Sequence, residues 1–305
     1  MEKTNNITEI LEAFKIFDGI YKREQVDAAI ELKEKITPFL VEILEKVLAD
    51  PDTYLENDDL YDHIYSFMLL GHFRETKAHD VIIDLFSLPG EIPHDLFGDL
   101  TTSDLPIILL RTCGGSIERI KSMAANKDVD DYCRISALNA MAYAVVEGIA
   151  SREEVISFYG TLFTGNETDE DSDFWGLLAN FVCDLYPEEL MDTIKKAYDN
   201  ELIFSGMVRY EDFKNALEDG KEKCLERLKA DLERQSLDDI HNSMSWWACF
   251  NEESQFYSAQ DPDDLTDYSP LTASNQYTHK TSKKKKNTKK KKRKQAKASK
   301  RRNRR

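Results

Sequence analysis

Between residues 5 and 250 apolar positions recur at helical spacing, and short polar, Gly or Pro breaks separate one run from the next. "ITPFLVEILEKVLADP" carries Phe39, Leu40, Ile43, Leu44, Val47 and Leu48 along one face, which predicts an amphipathic helix. Thr37 is its expected N-cap, Pro38 its first helical residue, and Pro51 lies beyond its end. In "SREEVISFYGTLF" the Ser151 hydroxyl is placed to accept from the Glu154 backbone N–H while Glu154 reaches back. Val155, Ile156, Tyr159, Leu162 and Phe163 then form the buried stripe.

Three stretches share the order helix, break, helix; they begin at Tyr61, Tyr132 and Phe174. In the second, Ile135, Leu138, Ala142 and Val145 lie on one face. Small Ala137, Ala140 and Ala144 between them let a neighbouring helix come close. Irregular pairs of this kind bury their apolar faces on one another, so the expected fold class is all-α, an irregular HEAT-like α-α superhelix or solenoid.

The segments "FSLPGE" at Phe86–Glu91, "ALNAM" at Ala137, "SREEV" at Ser151, "DLYPEEL" at Asp184–Leu190 and "WWACF" at Trp246 together resemble a bacterial family of unknown function, number 1186 among such domains. The resemblance covers about residues 10–250 and implies a helical superhelix without implying an activity. It also implies a short C-terminal zinc motif of the SEC-C type, with paired cysteines, after the helical body. This chain departs there, because no cysteine follows Cys249.

Composition agrees with helices that have one solvated face: 41% of residues are apolar, 32% charged, with 12 Gly and 8 Pro. "MEKTNNITEI" has no apolar leader, and no run approaches the roughly 20 apolar residues of a membrane span, so a soluble, cytoplasmic protein without integral membrane contact is expected. Five scattered cysteines (Cys113, Cys133, Cys183, Cys224, Cys249) form no C-x-x-C pair and are expected to be reduced.

Charge divides the chain. Residues 280–305 hold 17 of the 41 bases and no acid, leaving 24 bases against 57 acids, a net of -33, in residues 1–279. The expected organisation is a helical-repeat domain over 1–250, a polar disordered linker over 251–279, and a disordered Lys/Arg-rich tail over 280–305. The tail's candidate polyanion-binding residues are Lys283, Lys284, Lys285, Lys286, Lys289, Lys290, Lys291, Lys292, Arg293, Lys294, Arg301, Arg302, Arg304 and Arg305. A segment of this kind neutralises phosphates without reading base edges. RNA, DNA or the ribosome are its expected partners, with the acidic body as a competing intramolecular one. "KKKKRK" also resembles an importin-type nuclear localisation signal, which would have a reader only in the nucleus of a host cell, were the protein secreted.

Catalytic patterns are weak. His63, His72, His79 and His94 fall among several aspartates and would suit a metal-dependent hydrolase or hydroxylase, yet no H-E-x-x-H or Glu-x-x-His pair is present. These histidines are read as surface and helix-end residues, with no metal or other cofactor. Cys113 in "RTCGGS" could be a nucleophile, but Gly114 as a helix stop and Ser116 as the next N-cap explain that stretch. "NETDEDSDF" lacks the glycine and final glutamate of a calcium loop and is read as a solvated loop. "WWACF" is read as packing of a terminal segment, ahead of binding. The chain is therefore read as a non-enzymatic adaptor, with an acidic solenoid surface for a protein partner and a basic tail for a polyanion.

Overall fold

A computed structural model describes residues 7–169 and 172–250; the expected linker and tail lie outside the described residues. The body is all-α. Among the described residues the only extended pairing is a single antiparallel bridge between Ile16 and Leu60. No helix of the described residues is long and apolar enough to cross a membrane.

The first layer comprises α1 (Ile7–Lys15), α2 (Arg23–Glu31), α3 (Lys33–Ala49), α4 (Pro51–Glu56), α5 (Asp62–Phe73) and α6 (His79–Phe86). Helix α3 starts four residues before the expected cap. Leu32 is the residue before its first turn, and the Thr37 hydroxyl donates back to the Lys33 carbonyl at 2.8 Å inside the helix. Pro38 is thus an interior proline. The turn before it begins at Leu32, whose carbonyl accepts from Lys35 and Ile36 N–H, and Pro38 has no N–H to give the Glu34 carbonyl four residues back. Pro51 does stop α3, and it opens α4, where the Asp50 carboxylate accepts from Thr53 N–H.

Short helices α7 (Ile92–Phe97), α8 (Leu100–Ser103), α9 (Leu105–Thr112) and α10 (Glu118–Ala125) lead to the long α11 (Asp131–Val146). Gly114, with φ +62°, ends the α9 segment as expected, while Ile117, one residue past Ser116, precedes α10. Helix α11 is the centre of the body: it packs against α8, α9, α10, α12 (Arg152–Gly160), α13 (Phe174–Asp184) and α16 (Lys221–Arg234). Ala137, Ala140 and Ala144 are fully buried there, so their small side chains set the separation of those neighbours. Ser151 caps α12 through Glu154 N–H at 3.1 Å.

The second and third expected pairs are seen as α11–α12 and α13–α14 (Met191–Asp199), followed by α15 (Tyr210–Asp219), α16 and the short α17 (Ile240–Met244). The chain then returns: residues 236–250 cross to α2, α5 and α9, so the last segment of the body packs on the first helices.

Candidate functional site

The body's last segment meets its first helices through an aromatic assembly. Trp247 stacks on Phe250 with ring centroids 5.8 Å apart and planes 10° apart. Phe250 in turn lies 6.0 Å from Phe17, 5.5 Å from Tyr21 and 6.1 Å from Tyr61. Behind them Tyr65 stacks on Phe14 at 4.3 Å. Aromatic faces arranged in offset and edge-on pairs stabilise such a junction beyond the area they bury.

Polar latches flank the aromatic assembly. Arg111 donates to the Gly71 and His72 carbonyls and to Asp238 at 2.7 Å. That hydrogen bond first, and one from Ser236 second, hold the Asp238 carboxyl down to about 2. His241 stands between Asp27 and Tyr21, 2.8 Å from each. A carboxylate only accepts, so His241 Nε2–H donates to Asp27, while Nδ1 and the Tyr21 hydroxyl share the second hydrogen bond. Cys249 lies 3.7 Å from the Tyr61 hydroxyl.

The two adjacent tryptophans part company here. Trp247 is half-buried in the assembly, whereas Trp246 is 69% exposed. Ile16 and Ile20, on the same N-terminal segment as Phe17, are also exposed. The expectation of packing holds for Trp247 and Phe250 and fails for Trp246. Neighbouring residues in a turn point in different directions, and sequence alone does not say which one faces the body.

The four histidines do not converge. Buried His63 donates from Nε2 to the Leu96 carbonyl at 3.0 Å, and its Nδ1 has no partner. His72 donates to the Leu237 carbonyl at 2.9 Å and so ties α5 to the returning segment. The Thr112 hydroxyl donates to Ile108, so it accepts from His79 Nδ1 at 2.9 Å. His94 is exposed beside Thr101. Two of the four are therefore buried, against the surface placement expected of them. Among the described residues no three His, Cys, Asp or Glu side chains are grouped so as to hold a metal ion. All five cysteines are free, and the buried Cys113 thiol donates to the Leu110 carbonyl.

Three buried arginines escaped the sequence analysis. Arg111, Arg134 and Arg152 each donate to main-chain carbonyls at or just past a helix C-terminus: Gly71 and His72 of α5, Ala124 of α10, and Leu185 and Tyr186 after α13. The last carbonyls of a helix have no partner within it, and a guanidinium fork satisfies two at once. The available signal was a lone arginine in an apolar run, as in "LPIILLRT". The acidic loop also differs from expectation. Glu167 is buried and accepts from Gly165 N–H, Asn166 N–H, the Thr164 hydroxyl and the Trp175 indole, so it organises the loop from inside.

Elsewhere, a shallow groove of about 400 Å³ lies between α12 and α14, lined by Glu153, Ile156, Ser157, Leu190 and Thr193.

Residues 5–251 match the model of a family described as a protein of unknown function (DUF1186). The chain belongs to this family. The DUF1186 body is similar to an uncharacterised protein of Chlamydia trachomatis serovar D, 32% identical over 240 residues that make up 78% of this chain and 95% of the relative. It is also similar to an uncharacterised protein of Chlamydia muridarum, 31% identical over 242 residues, 79% of this chain and 96% of the relative. No solved structure gives a significant match. Because the matched stretch fills nearly all of both relatives, neither has room for a further segment as long as residues 251–305.

Proposed function

We propose that this DUF1186 protein is a non-enzymatic interaction protein, whose helical body engages a protein partner and whose basic C-terminal tail binds RNA, DNA or the ribosome. The single observation that carries the proposal is the segregation of charge: 17 bases and no acid in residues 280–305, against a net of -33 before them. Counterion release makes such a segment a strong polyanion ligand, and repulsion from the body restricts it to what the tail can reach. Two further observations support the reading. His63, His72 and His79 each bond a partner on another element, and the Cys113 thiol bonds the Leu110 carbonyl of its own helix. The tail lies beyond a body whose size the relatives share.

The test compares the full chain with a full-length variant in which the ten basic residues of 283–286 and 289–294 are replaced by Gln. Binding to single-stranded RNA and to duplex DNA is measured at several salt concentrations. The full chain is expected to bind, with log affinity falling steeply against log salt. The variant is expected to bind weakly, with a much shallower slope. Equal affinity of the two proteins at low salt would overturn the proposal.

A further inference from the structure

Trp246 sits on a fixed piece of backbone. Ser245 N–H bonds the His241 carbonyl at 2.9 Å, Trp247 N–H bonds Met244 at 3.1 Å, and Phe250 N–H bonds Trp247 at 2.9 Å. Phe250 is itself seated on Phe17, Tyr21 and Tyr61. An indole held out from a backbone pinned on both sides is preorganised for a flat ligand. Its position in the chain suggests which one. Trp246 lies four residues before the end of the described body, and the chain continues from there to the lysine blocks at 283–294. Whatever the tail captures is therefore tethered to this face, which raises its effective concentration there.

We propose that Trp246 is a base-stacking platform for single-stranded nucleic acid held by the tail. The inference rests on the tail reading above and adds what the tail cannot supply, since residues 280–305 contain no aromatic side chain. Bases in a single strand expose their faces and stack on aromatic side chains whatever their identity, whereas those of a duplex are already stacked. Around Tyr21, which Phe250 covers, the charges are mixed. The Arg23 guanidinium lies over the Tyr21 ring at 5.9 Å, and Lys22 pairs with Asp18. Asp27 is paired with His241. Phosphate attraction is thus left to the tail, and Trp246 contributes the contact that distinguishes single strands from duplexes.

The experiment uses the full chain, whose three tryptophans are Trp175, Trp246 and Trp247. Trp175 is buried and Trp247 half-buried, so the part of the quenching that Trp246→Ala removes reports the exposed indole. Oligo(U) and a duplex of equal length are titrated at low salt against the wild type, Trp246→Ala and Trp246→Phe. The expected result is fluorescence quenching by oligo(U) alone. Trp246→Ala should bind oligo(U) about 5-fold to 100-fold more weakly, with duplex affinity and salt slope unchanged. Trp246→Phe should retain most of the affinity.

Wild-type affinity in Trp246→Ala, or equal losses for oligo(U) and duplex, would overturn this inference while leaving the tail reading intact. Failure of the wild type to bind either ligand would overturn both. Quenching that follows protein concentration without nucleic acid would overturn it in favour of a second copy of the chain on this face.

Discussion

His63 is buried with Nδ1 unpartnered, and loss of hydration holds its imidazolium form down to a pKa of about 4, against a weaker opposing effect of the Leu96 carbonyl. The unfolded chain takes up this proton near pH 6.5, the folded chain only near pH 4. The unfolded state therefore binds more protons between these values, and His63 contributes stability that is complete above about pH 6.5 and declines as pH falls towards 4. The total is about 3 kcal/mol. Urea unfolding of the wild type and His63→Gln across pH 4–7 should show a shallower acid decline in the variant. Arg134 is a second residue whose burial has a stated consequence. Fully buried, it donates to the Ala124 and Glu167 carbonyls and to Asp131, with its guanidinium 4.2 Å from the centre of the Phe174 ring. Arg134→Met would leave those acceptors buried without a donor and should destabilise the body by about 3 kcal/mol. Arg134→Lys should rescue little, because an ammonium cannot reproduce the planar fork. Denaturation midpoints at unchanged m-value would report both.

Elements in this body are set as much by small residues as by large ones. A Cβ at Gly71 of α5 would come within 2.5 Å of Ile108 Cγ1 on α9, so this glycine permits the close crossing of the two helices. Gly71→Ala should destabilise by about 1–3 kcal/mol through overpacking. Ile108→Ala, which removes Cγ1 and Cδ1, should alone lose about 2–5 kcal/mol, and the double variant should lose less than the two changes summed, since the second makes space for the first. Full additivity in a double-mutant cycle would show that the crossing does not depend on this contact.

For the body as a whole, the return of residues 236–250 onto α2, α5 and α9 joins parts of the chain far apart in sequence. His241 reaches Asp27 and Tyr21, and Asp238 reaches Arg111. These latches are polar and partly solvated, whereas α11 lies in the apolar centre, so local opening should begin at the latches. In His241→Ala, amide hydrogen exchange is expected to rise in residues 17–21 and 236–250, with α11 amides unchanged. A uniform rise throughout the body would instead mean that the returning segment and the centre unfold as one unit.

Much of the architecture was legible from local chemistry. The apolar spacing, the Ser151 cap, the Gly114 stop and the small alanines of α11 all act within a few residues of themselves, and each stands where the sequence put it except Phe39, which was expected on the apolar face of α3 and is exposed. The start of α3 was misplaced because Thr37-Pro38 is an N-terminal signal only when no helical turn precedes it, and here α2 runs up to Leu32. The division of charge was likewise plain from composition. What only the tertiary structure decided are relations over long separations: three arginines joined to carbonyls of other helices, four histidines sent to four different partners, and the last segment closed on the first. The choice between Trp246 and Trp247 belongs with these, since the two share one composition and one local propensity. Trp247 is the half-buried one because it stacks on Phe250, which itself sits on Phe17, Tyr21 and Tyr61, more than 180 residues away in sequence.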